Sequence, residues 1–171
     1  MHHVQAEAER VNAADVAAVV REFHREKLAI RERHVAVAQT VSHYDFNNTY
    51  QYLIARDDMH LAWLEAGLAD LGGTPDTVPP MTLPARGKKE SFLPLVAEDG
   101  REAQAFVDRW RPRVAEVTHA RHRSMMQVIL GETLEQKRFF DQMGAGRDDL
   151  LGRRTGGETT GGGVLPVRWI Q

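Results

Sequence analysis

The stretch that most constrains this chain is residues 50–71, YQYLIARDDMHLAWLEAGLADL. Tyr50, Leu53, Leu64, Leu68 and Leu71 recur with the three- and four-residue spacing of one helix face, and Asp57 and His60 fall on the same line. A carboxylate and an imidazole in the middle of a core-facing stripe are costly to bury unless something satisfies both. A metal ion would do so. So would an Asp–His hydrogen bond inside a bundle, or a stripe rotated until both groups reach water.

The last long helical pattern repeats the motif. Its stripe reads Met125, Val128, Glu132, Glu135, Phe139, Met143, again with two ligand-type side chains three residues apart at its centre. Two helices that each present an acid-x-x-ligand pair at mid-core form half of a dinuclear carboxylate site, and the other two helices of a bundle each add one Glu. The segments RDDMHLAWLEAGLADLGG and MMQVILGETLEQKRFF resemble the second and fourth helices of the ferritin-like di-iron carboxylate superfamily, which includes rubrerythrins and ferritins. That family's motif is Glu-x-x-His twice; here it reads Asp57-Asp58-Met59-His60 and Glu132-Thr133-Leu134-Glu135.

The resemblance implies an all-α, ferritin-like antiparallel four-helix bundle with one long crossover between helices 2 and 3. It implies a dinuclear iron or manganese site held by Glu26, Asp57, His60, Glu102, Glu132 and Glu135. Oxygen-rich donors of this kind suit iron and manganese, and so many carboxylates in one core call for cations to offset them. The chemistry implied is of oxidase or peroxidase type, on ferrous iron, dioxygen or peroxide.

The rest of the chain is read against that expectation. Asn12 is a reasonable N-cap with Asp15 three residues on, so the first helix is expected over about 13–41, with residues 1–11 polar and frayed. Its stripe runs Val16, Val19/Val20, Phe23, Glu26, Ile30, His34, Val37, Val41, and Glu26 is the chosen ligand, with Glu22 or Glu32 behind it. The same segment, REFHREKLAIRERH, is equally well read as a solvated face of ion pairs. SHYDFNN at 42–48 breaks the pattern and predicts a hairpin to the second helix, which Gly72-Gly73 ends.

Four of the seven prolines fall between Pro75 and Pro84, which excludes a helix there. Extended, this connection reaches on the order of 50 Å, enough to travel the length of a bundle. The third element is bounded or kinked by Pro94, Gly100 and Pro112; Glu102 is its chosen ligand and Glu98 the second choice. Either the chain reverses near Pro112 or in THARHRS, or one kinked helix runs over about 101–143 and another chain completes the site. Glu116, His119 and His122 are read as surface or turn residues.

Composition excludes much else. With no Cys there is no disulfide, zinc knuckle or rubredoxin-type iron site, so any electron donor is another molecule. A net charge of −2 gives no basic stripe for nucleic acid. No apolar run reaches the ~20 residues of a membrane span, and residues 1–16 lack a signal-peptide layout, so the expected location is cytoplasmic. At 171 residues with 42% hydrophobic content, one domain is expected: a bundle over 1–145, then a Gly-rich tail over 146–171 ending in VLPVRWIQ. Tether plus apolar peptide is the layout of a docking tag; packing back on the bundle, or on a neighbour in a homodimer or higher homo-oligomer, is the alternative. A non-enzymatic interaction or cargo bundle with a degenerate metal site therefore competes with the enzyme reading. A third reading is a DinB-like bundle with metal on His24, His34, His60 and His119.

Overall fold

Turn chemistry cuts the described residues into four helices. The computed structural model describes residues 2–87 and 89–152, with side chains described from residue 15 onward. Among them there is no strand, and the helices are α1 (His2–Ala38), α2 (Tyr44–Asp70), α3 (Leu93–Ala115) and α4 (Ala120–Gly144).

Each boundary has a local cause. Asn47 on α2 donates its side-chain amide to the carbonyls of Ala38 (2.9 Å) and Val41 (3.2 Å), tying the end of α1 to the start of α2. α2 begins six residues before the expected Tyr50, at Tyr44, with His43 as its cap. It ends where Gly72 adopts φ +71°, and the amides of Gly72 and Gly73 close back on the carbonyls of Ala69 and Leu68. This is the left-handed glycine stop that avoids a Cβ penalty. α4 stops the same way at Gly146. The single long helix over 101–143 does not form. α3 ends at Ala115 and the chain turns over residues 116–119, while Pro112 lies inside α3. α1 begins at His2 instead of near residue 13.

Side-chain pairings join the helices in a regular order. Along α1, His24, Arg31 and His34 meet Glu65, Asp58 and Asp57 of α2, so partner numbers fall as α1 numbers rise. α1 pairs with α3 the same way, Glu22, Glu26 and Arg33 meeting Arg113, Arg109 and Asp99. So does α2 with α4, where Tyr52, Asp57 and Asp70 meet Phe139, Gln136 and Arg121. The connection over 71–92 starts beside Arg21 of α1, which donates to the Thr74 carbonyl, and ends with Phe92 against Phe46 at the start of α2. It therefore travels along the bundle.

Two apolar clusters fill the interior. One holds Phe23, Leu64, Leu68, Phe106, Trp110, Met126 and Ile129; the other holds Val37, Tyr50, Leu53, Val96, Phe140 and Met143. Between them lies a belt of buried polar side chains: Lys27 and His34 from α1, Asp57 and His60 from α2, Thr133 and Gln136 from α4. No helix among the described residues is long and apolar enough to cross a membrane.

Candidate functional site

The polar belt is centred on Asp57. Its side chain and that of Lys27 are both 0% exposed, and Lys27 Nζ lies 2.7 Å from Asp57 Oδ1. Gln136 Nε2 donates to the same oxygen at 2.8 Å, and His34 Nδ1 donates to Oδ2 at 2.6 Å. The Lys27 ammonium also reaches Gln136 Oε1 (3.3 Å) and Thr133 Oγ1 (3.5 Å), and the Thr133 hydroxyl donates to the Ile129 carbonyl. Every proton of the ammonium has an acceptor, and both carboxylate oxygens are engaged. A buried ion pair persists only when such extra hydrogen bonds complete it.

One turn along α2, His60 Nε2 donates to Glu132 Oε2 at 2.5 Å, and Arg56 holds the same oxygen from the outside. His60 Nδ1 is sealed in the bundle with no partner. Beyond the belt, Asp99 of α3 accepts from Tyr50 (2.5 Å) and Arg33 (2.6 Å). Burial, then the Asp99 charge, pushes the Tyr50 phenol upward, so it stays a donor.

Charge states follow from this geometry. Burial would raise Asp57, but Lys27 and His34 together outweigh it and hold the carboxyl well below its ordinary range. Burial also works against ionisation of Glu132, and Arg56 and His60 again prevail, so its value is lowered. His60 is lowered by burial and next by the Lys27 charge, which keeps the ring neutral. All three shifts make the folded state bind fewer protons than the unfolded chain. Their stabilisation is complete above about pH 6.5 and falls as pH drops, first through the histidine range and then through the carboxylate range near pH 4. Urea midpoints should therefore decline steadily from pH 7.5 to 4; a flat or rising series would contradict these assignments.

The six residues expected to share metal ions are only partly assembled. Asp57 and His60 lie in the core as expected, and Glu132 reaches His60 from the margin. Glu26 turns toward α3, accepting from Arg109 (2.7 Å) and from Trp110 Nε1 (2.9 Å); Glu22, the runner-up, pairs with Arg113. Glu102 is exposed, and Glu135 is exposed and paired with Arg138. The reason on α4 is phase. Its buried line is Met126, Ile129, Thr133, Gln136, Phe140 and Met143, one residue off the expected stripe, so Val128 is 51% exposed and Thr133 and Gln136 take the places expected for Glu132 and Glu135. On α1 the inward side chain is Lys27 instead of its neighbour Glu26.

His24 and His34 lie about 15 Å apart along α1, bonded to Glu65 and Asp57 respectively, and His119 is exposed at the start of α4. His122, expected at the surface, is buried because helical phase restarts at the 116–119 turn. Among the described residues, no three His, Asp or Glu side chains are grouped to hold a metal ion. Lys27, Thr133 and Gln136 are what sequence reasoning missed: a mid-core Lys gives no apolar signal, and long charged side chains are rarely fully buried.

No protein-family model, curated protein or solved structure shows a significant match to this chain.

Proposed function

We propose that this chain is a ferritin-like bundle in which a lysine ammonium stands in the place of the metal cations, and that it works as an interaction or cargo protein instead of a di-iron oxidase or peroxidase. The observation that carries the reading is the fully buried Lys27–Asp57 pair at 2.7 Å. A dinuclear centre needs carboxylates from all four helices facing one point. Here the charge that Asp57 requires is already supplied by an amine, and Glu26, Glu102 and Glu135 face elsewhere. The donor set does not fit two metal ions.

The falling partner numbers between α1 and α2, α1 and α3, and α2 and α4 support an antiparallel bundle with α2 and α3 running in the same direction. The 71–92 connection is then the long crossover of the ferritin-like arrangement. An interaction role is supported by apolar side chains left open along α2 and α4. Tyr52 (44% exposed), Met59 (42%) and Val128 (51%) lie on the side where Tyr52 meets Phe139 and Arg56 meets Glu132. Exposed apolar residues gathered on one side mark surfaces that partners cover. The peptide Val164–Gln171 lies outside the described residues.

The test is metal content by mass spectrometry after anaerobic incubation of the full chain with ferrous iron, and separately with manganese, beside Glu132→Ala. Well below one metal ion per chain in both proteins is expected. About two irons per chain, lost in the variant, would establish the dinuclear oxidase reading and overturn this one.

A further inference from the structure

A second site opens on the opposite side of the polar belt, between α1 and α3. Glu26, Ala29, Ile30 and Arg33 from one face of α1 and Glu98, Glu102 and Arg109 of α3 border a cleft of about 380 Å³, with Met81 of the crossover over it and His34 and Asp99 in its lining. That volume lies within the range of small-molecule sites, which combine apolar walls with a few convergent polar groups.

His34 ties this cleft to the core. It is 2% exposed, and its Nδ1 is committed to Asp57. His34 is among the residues that line the cleft, and its hydrogen bond among the described residues is made by Nδ1, which leaves Nε2 as the ring nitrogen for a ligand. With Nδ1 committed to Asp57, a ligand that meets this ring meets it at Nε2. The cleft therefore offers a nearly buried ring nitrogen that no hydrogen bond among the described residues occupies.

The charges around it select the ligand. Arg33 is taken up by Asp99 and Glu98, and Arg109 by Glu26. Four carboxylates against two guanidinium groups leave an excess of negative charge, and Glu102 forms no ion pair among the described residues. Ala29, Ile30 and Met81 supply an apolar wall.

From this juxtaposition we infer that the α1–α3 cleft binds a small amphiphilic amine: its ammonium at Glu102, its apolar body against Ile30 and Met81, and a second N–H or O–H donating to His34 Nε2. This goes beyond the reading of the core, since the cleft can be tested whatever the belt does with metal.

The experiment titrates the full chain, in chelator-containing buffer, with tyramine and with 4-hydroxyphenylacetate, which keeps the ring and hydroxyl but reverses the charge. Calorimetry and the nitrogen resonances of the histidine rings are the readouts. Saturable tyramine binding that shifts the His34 Nε2 resonance is expected, with the carboxylate analogue inert. Glu102→Gln, at an exposed position, should weaken binding by about threefold or more. Ala29→Phe, also at an exposed position, should block it by filling the cleft. Equal or better binding of the carboxylate, no saturable binding of either compound, an unmoved His34 resonance, or indifference to both substitutions would each overturn the inference.

Discussion

Replacing Lys27 by Met is expected to lower unfolding stability by about 3–5 kcal/mol, the range found when one partner of a buried ion pair is removed. Met fills nearly the same volume, so the loss is electrostatic. Asp57, fully buried, would keep its hydrogen bonds from Gln136 and His34 but lose the ammonium beside it. The second substitution makes the prediction specific. In Lys27→Met/Asp57→Asn the charge mismatch disappears, and the amide oxygen still accepts from one of the two donors. The double variant should therefore recover at least half of the loss, although each substitution alone removes a member of the network. Urea denaturation of the four proteins in this cycle gives the coupling directly. A Lys27→Met loss below about 1 kcal/mol, or a double variant less stable than Lys27→Met, would mean that the two groups do not form a buried pair.

Trp110→Ala is expected to be equally severe, at about 3–5 kcal/mol, the usual range for deleting a fully buried aromatic. Trp110 is 0% exposed, with its ring 4.9 Å from Phe23 and 6.3 Å from Phe106, and Arg113 lies 4.0 Å over its face. Little of that loss should come from its hydrogen bond to Glu26, a part-exposed carboxylate that water can solvate. Glu26→Gln is therefore expected to change stability by no more than about 1 kcal/mol, as exposed ion pairs do. The contrast separates the apolar packing of α1 on α3 from the polar contacts at its rim. Comparable losses for the two variants would show that Glu26 carries structural weight that its exposure does not suggest.

Much of the architecture was legible in the residues. Gly72-Gly73, the prolines from Pro75 to Pro84 and the SHYDFNN turn mark two of the three helix boundaries by backbone chemistry that no tertiary contact has to supply. Asp57 and His60 stood out as polar members of an apolar stripe, and they are buried. The third boundary was left open between Pro112 and THARHRS; the chain turns over residues 116–119, which include only Thr118 and His119 of that segment, and residues 120–124 are already in α4.

What faced Asp57 was not legible, and the reason is physical. The last helix contains apolar doublets, Met125-Met126, Val128-Ile129 and Phe139-Phe140, so two helical phases about 100° apart fit its hydrophobic pattern equally well. One phase presents Glu132 and Glu135 to the core; the other presents Thr133 and Gln136. Packing against the neighbouring helices selects the second. On α1, Glu26 and Lys27 straddle the stripe in the same way, and the inward choice of Lys27 depends on Asp57, Thr133 and Gln136 arriving from two other helices to satisfy its ammonium. By itself the sequence determined that the chain breaks at SHYDFNN and stops a helix at Gly72-Gly73, and that a carboxylate buried at position 57 needs a partner. Only the tertiary structure decided that an amine supplies it, because helix rotation is set by the sum of contacts between helices and by no residue alone.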